Sequence, residues 1–515
     1  MFQGSIVPQQ RMRLLPSVVG LGLCLSFTLF FFWPHPPASL LLLALAAGLA
    51  WVRLEVAVAL LPLTFPFYLD LQPVTPSGSV AFSLAEMGVL TCLALALVRQ
   101  VFVRRDRQAT RTWLHLLWKD ARQFLLPAGL FLLGASLAVL VSPNQHESLR
   151  AYREEVIEPL LYFLLISRYL QTRADLARAV GAFVLSALLA ACMGIIQGVL
   201  HLSSDLLITN VTTFRVDGPY GSPNNLAFLV SRTLPILLAL ALLGWRRVPS
   251  AWRDPLRWCC LLALVPLAWA LYWTGSRGAE AALLALLCIF FVYKVRRPLA
   301  LLALAGAGVL ALALFWSRLL QLLSAAGHGL ISERLLLWTA ALLIIRDHLF
   351  LGTGLDSFNT LYKPTAPHSY ALQALGGQPF PAAYNPHLSH PHDVLLDFWV
   401  STGVLGVVAL CWLLWTFGKC LARSYRLCAL IPQGGILRRL LLGIAGSMLV
   451  GLLHGLVDNF YFVPDLAMLF WFLLGMALVL QRLASRSYLG ASRTEAPGVP
   501  SVPSALPRMA IEAAE

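Results

Sequence analysis

The feature that most constrains this chain is a series of apolar segments, each about 17–25 residues long, that recurs from residue 17 almost to residue 481. A helix of that length spans the roughly 30 Å of a bilayer's hydrocarbon core. The alternation of period two that a membrane barrel needs is absent. Of the 515 residues, 59% are hydrophobic and 12% charged, against roughly 25% charged in soluble domains. The expected fold is therefore all-α: a polytopic integral membrane bundle of about 12–14 transmembrane helices.

A formal charge of +14 would suggest nucleic acid as a partner for a soluble protein, but here the basic residues flank the spans. Clusters at Arg104, Arg105, Arg107 and Arg111, at Arg246, Arg247, Arg253 and Arg257, at Lys294, Arg296 and Arg297, and at Arg438 and Arg439 fall on one side of an alternating topology. The positive-inside rule assigns that side to the cytoplasm, with both termini. The nine cysteines lie within spans or on the cytoplasmic side, so no external disulfide framework is expected. The segment 17–33 follows Arg11 and Arg13 and lacks an evident cleavage site, so it reads as a retained first helix. The pair 38–52 and 54–69 reads as two spans, because merging them would break the charge alternation.

The chain divides into N-terminal transmembrane helices over 1–316, a large extracytoplasmic loop over 317–391, C-terminal transmembrane helices over 392–484 and a disordered cytoplasmic tail over 485–515. Within the loop, residues 331–350 read as an amphipathic helix, with Leu335, Trp338, Leu342 and Ile345 on its apolar face. The remainder is rich in Gly, Pro, His, Tyr and Asn, and a loop that long is usually functional.

Four external features can carry chemistry. The turn-rich segment 213–225 holds Arg215 just before a helix, where backbone N–H groups could receive an anion; a Pro-Asn helix cap is the plainer reading. Ser276 and Arg277 sit between two spans with almost no loop, and the planar guanidinium suits phosphate oxygens; snorkelling to head groups is the alternative. Arg334 precedes Trp338 by four residues, which also fits a stacked surface pair. Last comes His387-Leu388-Ser389-His390-Pro391-His392-Asp393. Such a cluster could be a general base, a metal site completed by Asp393 or His368, or a solvated loop.

In this order, an external Ser-Arg-Gly, a large loop with an Arg-x-x-x-Trp helix and a histidine opening the next span, these motifs resemble the O-antigen ligase and O-antigen polymerase superfamily. Its ligases carry His, then Asn, Ser or Gln, then nine residues, Gly, two residues and Gly. Here His392 is followed by Asp393, residues 394–402, Gly403, Val404, Leu405 and Gly406. The spacing fits, and the second position departs by placing a negative charge beside the histidine.

The resemblance implies a membrane glycan transferase that moves an oligo- or polysaccharide from undecaprenyl diphosphate onto an acceptor hydroxyl, such as a lipid A-core or another glycan, at the outer face of the plasma membrane. It implies inversion and no cofactor, metal or nucleotide sugar. His392 would be the catalytic base. Arg277 and Arg334, with Arg215, would hold the diphosphate, supported by Asp393, His390, Ser276, Trp338, Gly403 and Gly406. The loop would act as a lid that keeps water from competing as acceptor. A polymerase of the same superfamily remains open as an alternative, as do a transporter or flippase, for which Arg232, Glu280, Asp397 and Asp458 are the intramembrane candidates, and a metal-dependent hydrolase built on the histidines.

Overall fold

A computed structural model describes residues 16–32, 36–69, 71–73, 81–100, 107–202, 215–243, 254–294, 330–377, 380, 388–431 and 434–494. The span expected at 298–316, His387, and residues 495–515 of the expected tail lie outside the described residues. The described elements are α1 (Pro16–Phe32), α2 (Pro36–Val52), α3 (Leu54–Leu60), α4 (Leu84–Val98), α5 (Arg107–Leu140), α6 (Gln145–Ala151), α7 (Glu158–Tyr169), α8 (Arg173–Val199), α9 (Pro223–Leu242), α10 (Pro255–Thr274), α11 (Arg277–Lys294), α12 (Leu330–Asp347), α13 (Phe358–Tyr362), α14 (Tyr370–Leu375), α15 (Val394–Ala429), α16 (Gly435–Gly455) and α17 (Pro464–Thr494). The extended structure described is one two-residue pairing, Gln72–Pro73 with Ala81–Phe82.

Seven of these helices are long and apolar enough to cross a membrane, which makes this a helical multi-pass membrane protein. They lie in α5, α8, α9, α10, α15, α16 and α17. The α2–α3 pair adds an eighth if it is one broken span, with a bend of 119° at Arg53. A 3-10 helix, Leu61–Phe67, continues α3. Together they rise roughly 24 Å, from Arg53, which lies beside Arg168 and Arg178, to Tyr68, whose hydroxyl accepts from Asn225 at 3.1 Å.

The bundle is built around α17. Its apolar window is 94% buried, whereas that of α10 is 28% buried, so among the described residues α10 lies at the edge of the bundle. Trp471 in α17 donates its indole N–H to the Tyr461 hydroxyl at 2.9 Å, and that hydroxyl donates to the Glu155 carbonyl at 2.7 Å. The rings of Phe131 and Phe398 pack against Tyr461 at 5.5 and 5.1 Å. Tyr461 therefore fixes the short loop between α16 and α17, which supplies the centre of the site described below.

Charge divides the ends of the bundle. At one end arginines cap helix C-termini: Arg482 reaches the carbonyl of Ser167 at 2.8 Å, Arg486 that of Gln171 at 3.3 Å, and Arg439 that of Leu240 at 3.1 Å, where the helix dipole favours cations. The other end carries Glu86, Glu154, Asp356 and Asp458. Those acids meet Arg153, Arg150 and Arg334.

The loop helix α12 has a small core of its own, in which Leu337, Ala340, Ala341 and Ile344 pack with Phe358, Tyr362, Tyr370 and Val400. The apolar face expected from the sequence was partly misassigned. Leu335 and Leu342 are 62% and 57% exposed, because the helix is apolar around most of its circumference and periodicity alone does not choose the buried side.

The loop docks onto α15 at Gly403. There the backbone leaves helical geometry, with φ +64° and ψ −165°. Segment 349–353 closes on the break: the Thr353 N–H donates to the Val400 carbonyl at 2.7 Å and the Trp399 indole to the Leu349 carbonyl at 3.0 Å. A Cβ on Gly403 would fall well inside contact distance of the Phe350 carbonyl. Gly406, the second glycine of the signature, places its backbone 3.3 Å from a Cβ built on Gly134, where α5 passes close to α15. Gly403→Ala should cost roughly 1–3 kcal/mol from backbone strain alone and lower the thermal unfolding midpoint in detergent. An unchanged midpoint would show that the break is not needed.

Candidate active site

His392 lies just ahead of α15 in a left-handed conformation, φ +55°, which few non-glycine residues adopt. Asp393 then caps the helix, its Oδ1 accepting from the N–H groups of Leu395 and Leu396 at 3.0 Å each. Burial pushes Asp393 above the usual carboxylate range against those two backbone donors. The charge at the second signature position is thus committed to a helix N-terminus.

The carboxylate that meets His392 is Asp458, from the α16–α17 loop. His392 Nδ1 lies 2.6 Å from Asp458 Oδ1. Asp458 is 5% exposed, and four groups hold it. Oδ1 also accepts from the Asn459 N–H at 2.8 Å, Oδ2 accepts from the Asn224 amide, and Arg334 Nη2 lies 4.0 Å from Oδ2. The Asn459 side chain ties the turn, its Oδ1 accepting from the N–H groups of Tyr461 and Phe462 at 3.1 Å each. Burial alone would raise the Asp458 carboxyl, but the charge and hydrogen bond of His392 together with Arg334 outweigh it and hold the group well below the usual carboxylate range.

That depressed value gives a pH dependence of stability. Asp458 binds its proton less readily folded than unfolded, so its contribution is complete above the ordinary value of about 4 and drains as pH falls from there toward the folded value. The gap in unfolding midpoint between wild type and Asp458→Asn should therefore be widest near neutrality and close below about pH 4. A gap independent of pH would contradict this pairing.

Of the other residues singled out by sequence, Arg215 reaches Asp458 through Asn224. Arg215 donates through Nη2 to Asn224 Oδ1 at 2.9 Å and through Nε to the Thr274 carbonyl at 2.6 Å. Burial, helped by the Arg277 charge and opposed by Asp458, lowers Arg215 from its ordinary value. Arg277, at the start of α11, is exposed and has no ion-pair partner among the described residues. Ser276 Oγ lies 3.3 Å from His454 Nε2, and the His454 ring stacks on Phe228 at 3.7 Å.

Arg334 and Trp338 lie one turn apart on α12. Arg334 Nη1 and Trp338 Nε1 are both buried and have no hydrogen-bond partner among the described residues. Leaving a buried donor unpaired costs about 1–3 kcal/mol. Two such N–H groups on the helix that brings Arg334 to Asp458 suit a ligand that carries acceptor oxygens.

His390 is directed elsewhere, its Nδ1 3.4 Å from Asp397 Oδ1. Burial would lower it, and the Asp397 charge and hydrogen bond outweigh that and raise it. The two described histidines of the cluster thus pair with different carboxylates. His368 is exposed, and no group of three His, Cys, Asp or Glu suited to a metal ion occurs among the described residues. Arg232, fully buried, donates to the Phe460 carbonyl at 3.0 Å with its guanidinium 4.6 Å from the Phe460 ring. It braces the loop that carries Asp458.

From sequence, Asp458 is named only as an intramembrane candidate for a transporter or flippase and His454 is not singled out, so neither is expected in the transferase site. Their signal is a His and an Asp four residues apart at the end of an otherwise apolar span.

Residues 262–411 match the family model described as O-Antigen ligase. The segment so identified as O-antigen ligase-like runs from α10 into α15 and includes Ser276, Arg277, Arg334, Trp338, His390, His392, Gly403 and Gly406. No curated protein matches the chain. Arg215, His454 and Asp458 lie outside the matched residues, so the candidate site is completed from both flanks. The match points to a glycosyltransferase-like membrane enzyme of the O-antigen ligase or polymerase type.

Proposed function

We propose that this protein transfers a glycan from a polyprenyl diphosphate to an acceptor hydroxyl at the outer face of the plasma membrane, as an O-antigen ligase does. The observation that carries the reading is Asp458, which joins a histidine and an arginine in one buried cluster. With Nδ1 held by Asp458, the His392 ring is oriented and its Nε2 has no partner among the described residues. Nε2 takes the proton of the acceptor hydroxyl. The freed oxygen forms a bond to the anomeric carbon as the bond from that carbon to the diphosphate oxygen breaks, and attack opposite the leaving group inverts the centre.

The leaving diphosphate gathers negative charge. Arg334 Nη1 and Trp338 Nε1 are donors already stripped of water, and Arg277 supplies an exposed guanidinium with no ion-pair partner among the described residues. Donors fixed in place before reaction stabilise such charge more than water can. Arg215 is fastened to Asn224 and Thr274, so it contributes field and position more than a free donor. A polyprenyl chain can stay in the bilayer while its head group reaches this end of the bundle, and α12 covers the reacting centre.

The test is transfer in proteoliposomes holding polyprenyl-diphosphate-linked glycan and a hydroxyl acceptor. The expected products are the glycosylated acceptor with an inverted anomeric centre and free polyprenyl diphosphate, formed equally well after exhaustive chelation. Hydrolysis of the donor without transfer, retention of configuration, or loss of activity with the chelator would contradict the proposal.

A further inference from the structure

At the end of the bundle opposite His392, a cavity of about 350 Å³ opens where the start of α1, the α2–α3 bend, the end of α7 and the start of α8 meet. Its lining includes Arg53, Arg168 and Arg178 with Glu55 and Asp175. The acids are already engaged. Asp175 Oδ2 accepts from the N–H groups of Gln171 and Thr172 and from the Thr172 hydroxyl at 3.1, 2.9 and 2.8 Å. Its Oδ1 meets Arg178 Nη1 at 2.8 Å. Glu55 meets Arg53 Nη1 at 3.2 Å.

Each of these two arginines thus spends one nitrogen on its acid. Nε and Nη2 of Arg53 and of Arg178 have no partner among the described residues, and the ion pairs steady both guanidinium planes. Three guanidiniums and two carboxylates line the cavity, so its lining is net positive. Its position at the ends of spans is the level of lipid head groups, and basic pockets between membrane helices suit phosphate-bearing ones. Tetrahedral phosphate oxygens can accept from two guanidinium edges at once.

We propose that this cavity binds a phosphate group, on an anionic lipid or on a soluble phosphate ester. It does not depend on the glycan-transfer reading, since none of its residues belongs to the candidate active site.

The two sources separate in one set of measurements on the full chain in detergent. Native mass spectrometry with equal phosphatidylglycerol and phosphatidylcholine reads the lipid arm, and the unfolding midpoint with added glycerol 3-phosphate reads the soluble arm. Selective retention of phosphatidylglycerol assigns the lipid source, and a raised midpoint assigns the soluble ester. Either response should weaken about fivefold for each arginine removed in Arg53→Gln and in Arg53→Gln with Arg178→Gln. Glu55→Gln frees Arg53 and should bind more tightly, a gain that misfolding cannot mimic. The proposal is overturned if wild type shows neither response, if the double variant binds as wild type does, or if Glu55→Gln gains nothing.

Discussion

His392→Ala should lower glycan transfer by about 10²–10⁴, the range lost with a general base, while donor binding is kept. Asp458→Asn should come close to it. An asparagine at 458 can still accept from Nδ1–H, but it removes the negative charge that stabilises the protonated imidazole as the acceptor proton arrives. It also releases Arg334 and Asn224 from their shared partner, so its loss includes a positional part that His392→Ala lacks. Single-turnover rates with saturating donor measure both. Transfer at the wild-type rate by His392→Ala would remove the base assignment. A silent Asp458→Asn would reduce their 2.6 Å contact to a structural one.

Arg334→Ala should cost about 10²–10³ in turnover, as loss of one charge-stabilising donor does at other preorganised sites. Arg334→Lys should recover only part of it, since a single ammonium cannot reproduce the fork that spans Asp458 on one side and an incoming oxygen on the other. Arg277→Lys should be milder in turnover and clearer in donor affinity, because Arg277 is exposed and unpaired among the described residues. Turnover and donor KM, measured separately, distinguish the two. An Arg334→Lys enzyme as fast as wild type would rule out the bidentate role.

The helices were legible because burial in lipid needs nothing beyond apolar length, and the sequence repeats that length. Their boundaries followed Pro and capping residues, as at Pro223, Pro255 and Asp393. Arg334 and Trp338 were legible as a pair because four residues make one helical turn. The buried face of α12 was not, since Leu335 and Leu337 are alike in hydropathy and only the docking of Val400 and Tyr362 decides between them.

Asp458 was harder still. It lies 66 residues from His392, joined to it by the packing of α16 and α17, and an aspartate at a span end reads in isolation as a polar boundary. Asp393, adjacent to His392 in sequence, is the carboxylate that spacing alone pairs with the histidine. The reason is local geometry: the left-handed backbone at His392 places the ring on Asp458, while Asp393 turns its carboxylate to the α15 N-terminus. The signature glycines were legible as spacing, and the structure supplies their cause in the α15 break and the close α5 crossing.

The central claim is that His392 and Asp458 act as one unit in glycan transfer. A double-mutant cycle in proteoliposomes tests it most directly, comparing His392→Ala, Asp458→Asn and the combined variant on the same lipid-linked donor. If the pair is one unit, the combined variant is far less impaired than the product of the two single losses, because without the imidazole only the hold of Asp458 on Arg334 and Asn224 is left to lose. If the two losses multiply, or if either single variant transfers glycan at the wild-type rate, the account is wrong.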